Sequence, residues 1–171
     1  MSKEIFENAL TFLNNKKHVS WQMSVLKEEY TMETTLAVYC INPPSSLLNN
    51  MPGTCKILKA RGYTRLYILY LFSRIGEFTE ICDISIDNLI NERCNFIINE
   101  IIPDVGKIFF AYGEPANKKI MELVIRRVSE VQQRILDIKP STNFFYFGKL
   151  SKAGHPKKMR ELKVEDTENK L

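Results

Sequence analysis

The chain has 171 residues, a formal net charge of +4, 44% hydrophobic residues and 26% charged residues. That length suits one domain with a real core, and the balance excludes a disordered chain. No apolar run approaches the roughly 20 residues of a membrane span, and Met1-Ser2-Lys3-Glu4 carries an acid with no apolar signal core, so a cytoplasmic protein is expected.

Residues Lys3 to Asn15 space Ile5, Phe6, Ala9, Leu10 and Leu13 as an amphipathic helix. Trp21 to Leu26 alternates apolar and polar residues, which predicts a strand, antiparallel at a sheet edge. Thr35 to Ile41 is a nearly continuous apolar run, the mark of a central parallel strand buried on both faces. Pro43 and Pro44 cannot continue a ladder, so a loop begins there. A helix is predicted from about Pro52 to Arg61, with Ile57 and Leu58 inward and Gly62 as its stop.

Leu66 to Phe72 is the second buried strand, followed by a loop through Gly76 and Asp83. Asp87 caps a helix with Leu89, Ile90, Cys94, Ile97, Ile98 and Ile101 on one face. Pro103 and Gly106 end it. Lys107 to Tyr112 is the third strand, closed by Gly113. Pro115 opens a long helix to about Ile138, and Asn143 to Phe147 is the fourth strand, ended by Gly148. Alternating strands and helices predict right-handed crossovers, hence an α/β fold of three αβα layers on a mostly parallel four-stranded sheet. The whole chain reads as one domain with a short polar tail from about residue 164, frayed from Glu165 to Leu171.

Cys40, Cys55, Cys82 and Cys94 form no C-x-x-C pair and no cluster with histidine. Reduced thiols are therefore expected, with no metal and no cofactor. From Lys149 to Lys163 there are six Lys or Arg residues and one acid, Glu161. That is either a solvated tail or a segment that contacts phosphates.

In open α/β sheets, ligands bind beyond the carboxyl ends of the strands. Four segments meet there: Asn42 to Ser46, Phe72 to Gly76, Gly113 to Ala116, and Gly148 to Pro156. The last carries His155; the other histidine, His18, lies outside the set. Read singly, His155 is equally an exposed loop histidine and Asn42 a turn residue before proline. Their placement at one sheet edge favours a functional role. No G-x-x-x-x-G-K, G-x-G-x-x-G or G-x-S-x-G motif competes, and no carboxylate pair stands at the strand ends.

The order Ile41-Asn42-Pro43-Pro44-Ser45, Tyr70-Leu71-Phe72, Ala111-Tyr112-Gly113 and Gly154-His155-Pro156 resembles an uncharacterised prokaryotic domain family. That family has N-P-S, N-L-F, W-G and G-H-P at these places, and the likeness covers about residues 20 to 162. The same order resembles, more remotely, the uracil-DNA glycosylase superfamily. The resemblance implies a weak, metal-free N-glycosylase that flips uracil out of single- or double-stranded DNA and hydrolyses its bond to the sugar. It implies catalytic roles for Asn42, which positions water, and His155, which donates to the uracil oxygen. It implies substrate contacts at Pro43, Pro44, Ser45, Tyr70, Phe72 and Gly113, and DNA contacts at Ser46, Lys157 and Lys158. A monomer is expected.

The sequence departs from the glycosylase pattern at four places. Tyr70 stands where the base-reading asparagine belongs, and one phenol cannot supply an amide's paired donor and acceptor. No aromatic lies between Ser46 and Arg61 to stack on the base. Pro44 replaces the tyrosine that screens out thymine. Lysines replace the serines of the H-P-S loop. A second class therefore stands beside the first: a non-catalytic nucleic-acid or nucleotide-binding module that keeps the fold.

Overall fold

A computed structural model describes residues 19–44, 51–76, 92–115 and 117–171. The strands are β1 (Trp21–Val25), β2 (Thr35–Cys40), β3 (Arg65–Tyr70), β4 (Lys107–Phe110), β5 (Phe144–Phe147) and β6 (Glu168–Lys170). The helices are α1 (Pro52–Ala60), α2 (Glu92–Ile101) and α3 (Lys118–Ile138). They build one sheet in the order β1-β3-β2-β4-β5-β6. The middle four strands, β3, β2, β4 and β5, run parallel. The edge strands β1 and β6 are antiparallel to their neighbours.

Burial on both faces explains why the parallel strands read as unbroken apolar runs. Along β2, Ala37 and Tyr39 join one core with Ile97 and Ile101 of α2 and Val124 and Val131 of α3. Leu36 and Val38 join the opposite core with Leu58 of α1, Met159 and Leu162. Successive side chains of a strand alternate faces, so this one short run contributes to both layers. The antiparallel edge position predicted for β1 is also found.

The sheet has six strands rather than four, because β1 counts at one edge and the tail supplies β6 at the other. The tail is therefore not a frayed end. Glu168-Asn169-Lys170 pairs with β5, and the Leu171 amide donates to the Phe144 carbonyl at 2.9 Å. Polar contacts hold β6 where an apolar stripe would otherwise be needed. The Tyr63 hydroxyl donates to Glu168 at 2.9 Å, and the Lys107 ammonium does so at 2.7 Å.

Helix α3 starts at Lys118, not Pro115. The Asn117 side-chain oxygen accepts from the Ile120 amide at 3.0 Å, a stronger start signal than proline because it satisfies an orphan donor. The predicted helix at Lys3 to Asn15, together with His18, Ser45, Ser46, Cys82, Asp83, Asp87, Leu89 and Ile90, lies outside the described residues. No described helix is long and apolar enough to cross a membrane.

Candidate functional site

Strand β5 ends just before Gly148, whose φ of +68° turns the chain there. The loop that follows closes on itself. The Ser151 amide donates to the His155 carbonyl at 2.8 Å, and the His155 amide donates to Ser151 Oγ at 3.2 Å. This closure drives the His155 ring inward until it is only 4% exposed. The ring meets Tyr112 edge-on, with centroids 5.9 Å apart.

Neither Nδ1 nor Nε2 of His155 has a hydrogen-bond partner among the described residues. An orphaned buried polar group costs about 1–3 kcal/mol, so its retention calls for an explanation. Beside the ring lies a cleft of about 360 Å³, lined by His155 with Gly113, Glu114, Lys149, Lys158 and Glu161 among others. Both ring nitrogens are themselves covered; an imidazole carries one donor and one acceptor when neutral, and two donors when charged.

Gly113 closes the strand-end segment that follows β4, with φ at +78°. A Cβ at this position would overlap the aliphatic chain of Lys158. Glycine thus lets Lys158 lie across the strand end, and its ammonium has no ion-pair partner among the described residues. Lys157 differs. Its ammonium bonds both carboxylate oxygens of Asp166, at 2.7 and 2.8 Å. Burial pushes the Asp166 carboxyl up, but Lys157, the Lys163 amide and Arg61 outweigh it and hold it below its ordinary value.

Asn42 sits at the same edge, just beyond β2. The β2–β4 register pairs Tyr39 with Phe110, and continuing it brings Asn42 level with Gly113. The Asn42 Nδ2 donates to the Gly76 carbonyl at 2.7 Å and to the Arg74 carbonyl at 3.1 Å. Both amide hydrogens are thereby used, which fixes the carbonyl oxygen as the side chain's remaining polar face. Asn42→Asp puts a carboxylate against two carbonyls and is expected to cost about 1–3 kcal/mol. Urea unfolding at neutral pH measures this; an unchanged midpoint contradicts the donor assignment.

The other predicted residues divide between core and surface. Tyr70 is buried in the α1-side core, and its hydroxyl donates to Gln22 Oε1 at 3.2 Å. Burial pushes that phenol far above its usual range. Phe72 is fully buried in the α2/α3-side core, Pro43 is buried and Pro44 is exposed. His155, Gly113, Lys157 and Lys158 therefore share one cleft, with Asn42 at the same sheet edge and Tyr70 and Phe72 packed inward.

No family model, curated protein or solved structure matches this chain. Burial pushes the Cys40 thiol up to about 12 and also raises Cys55, so neither is a ready nucleophile at neutral pH. Among the described residues, no three His, Cys, Asp or Glu side chains converge as metal ligands would.

Two residues that bear on the site escaped the sequence reading. Asp166 reads as one more tail acid, yet it neutralises Lys157. Arg127 of α3 is 1% exposed. Its Nε donates to the Leu71 carbonyl at 2.9 Å, and its NH2 donates to Asn95 Oδ1 at 2.8 Å. It thereby ties the carboxyl end of β3 to α2 and α3. A signal existed, because Arg127 falls on the stripe of Ile120, Val124 and Val131 that faces the core.

Proposed function

We propose that this protein is a uracil-DNA-glycosylase-like hydrolase that releases uracil from DNA slowly. The observation that carries the reading is His155: a buried ring with both nitrogens unpartnered among the described residues, bordering a cleft at the carboxyl edge of a parallel sheet. In the reaction, the bond between the sugar C1′ and the base nitrogen breaks. The bonding pair leaves with uracil as its anion, and water adds to the sugar cation, losing a proton to solvent. His155 donates to the uracil oxygen as negative charge develops there, a role worth roughly 10²–10³ in rate.

The Asn42 oxygen accepts from the attacking water, held in place because its amide hydrogens are committed to Gly76 and Arg74. An amide orients water but takes no proton, so turnover is slow. Lys158 meets a backbone phosphate across Gly113. Lys157, neutralised by Asp166, contributes little to that contact.

A second reading is favoured by Tyr70, whose hydroxyl is committed to Gln22 and not to a base edge. On that reading the cleft binds a nucleic acid or nucleotide without cleaving it. Incubation with uracil-containing single- and double-stranded oligonucleotides, followed by alkali, separates the two. Slow scission at the uracil is the expected result. An oligonucleotide that is bound and recovered intact supports the binding module.

A further inference from the structure

We infer that the last residues of the chain brace the His155 loop, with Asp166 as its positioning residue; the inference rests on the reading of the His155 cleft as the working site. The loop runs between Gly148 and Lys157, and both ends are fixed to one short stretch. At the near end, the Gly148 amide donates to the Thr167 carbonyl at 2.8 Å, and Asn169 Nδ2 donates to the Gly148 carbonyl at 2.8 Å. At the far end, Lys157 grips the Asp166 carboxylate. A Cβ on Gly148 would overlap that carboxylate, so glycine is what lets the acid sit against the strand end.

The stretch is anchored in turn to the sheet. Arg61, just past α1, donates to the carbonyls of Lys163 and Asp166. Glu168 takes bonds from Tyr63 and from Lys107 at the start of β4. Rigid elements thus hold the C-terminal segment, and that segment holds the loop. Inside the loop, the bonds between Ser151, Gly154 and His155 join only loop residues. They shape the turn but do not fasten it to the sheet. The Lys157 and Asp166 side chains are 23% and 9% exposed, so the pair is screened less than a surface ion pair.

The charged groups facing Asp166 are Lys157 and Arg61, with the Lys163 amide beside them. Since the folded-state carboxyl is held below its ordinary value of 3.8, the contribution of the brace is complete above that value. It is lost as pH falls through the lower, folded-state value. Loop protection is therefore expected to fall with acid in the wild type and to stay flat in Asp166→Asn.

Amide hydrogen exchange tests the brace without any substrate. In Asp166→Asn and in Lys157→Ala, protection at Ser151, Gly154 and His155 is expected to drop by about tenfold or more. Protection at Val38 of β2 and Ile68 of β3 is expected to hold. Unchanged loop protection overturns the inference, and so does a loss spread evenly into β2 and β3. Uracil release at the wild-type rate from a loosened loop overturns the positioning role. Absence of release by the wild type strikes the glycosylase reading instead and leaves the brace to be judged by exchange.

Discussion

Replacing His155 with leucine is expected to stabilise the fold while removing the proposed uracil release. The ring is 4% exposed and both nitrogens lack partners among the described residues, a burden of about 1–3 kcal/mol. Leucine removes that burden and keeps an apolar body against Tyr112. It forfeits the edge-on ring contact, which offsets about 0.5–1.5 kcal/mol. The net expectation is a gain of about 1 kcal/mol, or roughly 2–4 °C in Tm for a domain of this size. Uracil release should fall roughly 10²–10³-fold. A structural histidine behaves oppositely: losing satisfied hydrogen bonds would lower Tm. Thermal unfolding of the variant therefore separates a residue kept for function from one kept for folding.

Arg127→Ala is expected to cause the largest loss of stability, about 3–5 kcal/mol. The guanidinium is nearly fully buried and bonds the Leu71 carbonyl, Asn95 and Glu130. Removing it strands the Leu71 carbonyl in the interior, at about 1–3 kcal/mol, and leaves the half-buried Asn95 oxygen unmet at a smaller cost. Truncation to alanine adds lost packing of about 2 kcal/mol. Glu130 is 45% exposed and turns to solvent, so it adds little. Relief of the buried charge offsets part of the total. Against a whole-domain stability of about 5–15 kcal/mol, this is a large fraction. Arg127→Met keeps the volume and should lose less, about 2–3 kcal/mol, because only the stranded acceptors remain. Urea denaturation of both variants measures the two costs, and a loss under about 1 kcal/mol for alanine would contradict the assignment.

The central sheet is legible in the sequence because burial on both faces favours apolar residues at nearly every position. Thr35 to Ile41 and Leu66 to Phe72 show this directly. Strand β6 is not legible. Glu168-Asn169-Lys170 has no apolar alternation, and what holds it, Tyr63 and Lys107, lies far away along the chain. Asp166 is hidden for a different reason: it lies close to Lys157 along the chain, and nothing singles it out from the other tail acids until Gly148 turns the strand. His155, Gly113 and Lys158 are legible as a set because topology gathers strand ends at one edge. Asn42 is legible as a residue type but not in direction, since its amide is oriented by the carbonyls of Arg74 and Gly76. Arg127 is legible in principle, as a charge on a core stripe demands a buried partner. Tyr70 could be placed at a strand end, but the face it takes depends on the pleat and on Gln22 of β1.

The most direct measurement is single-turnover release of free uracil from one uracil-containing oligonucleotide, with excess wild-type protein and with excess His155→Leu. Leucine fills the place of the ring but offers no donor. The account predicts slow, measurable release by the wild type and a fall of roughly 10²–10³-fold in the variant. Release at equal rates by both proteins, or none by the wild type while the oligonucleotide stays bound, would contradict it.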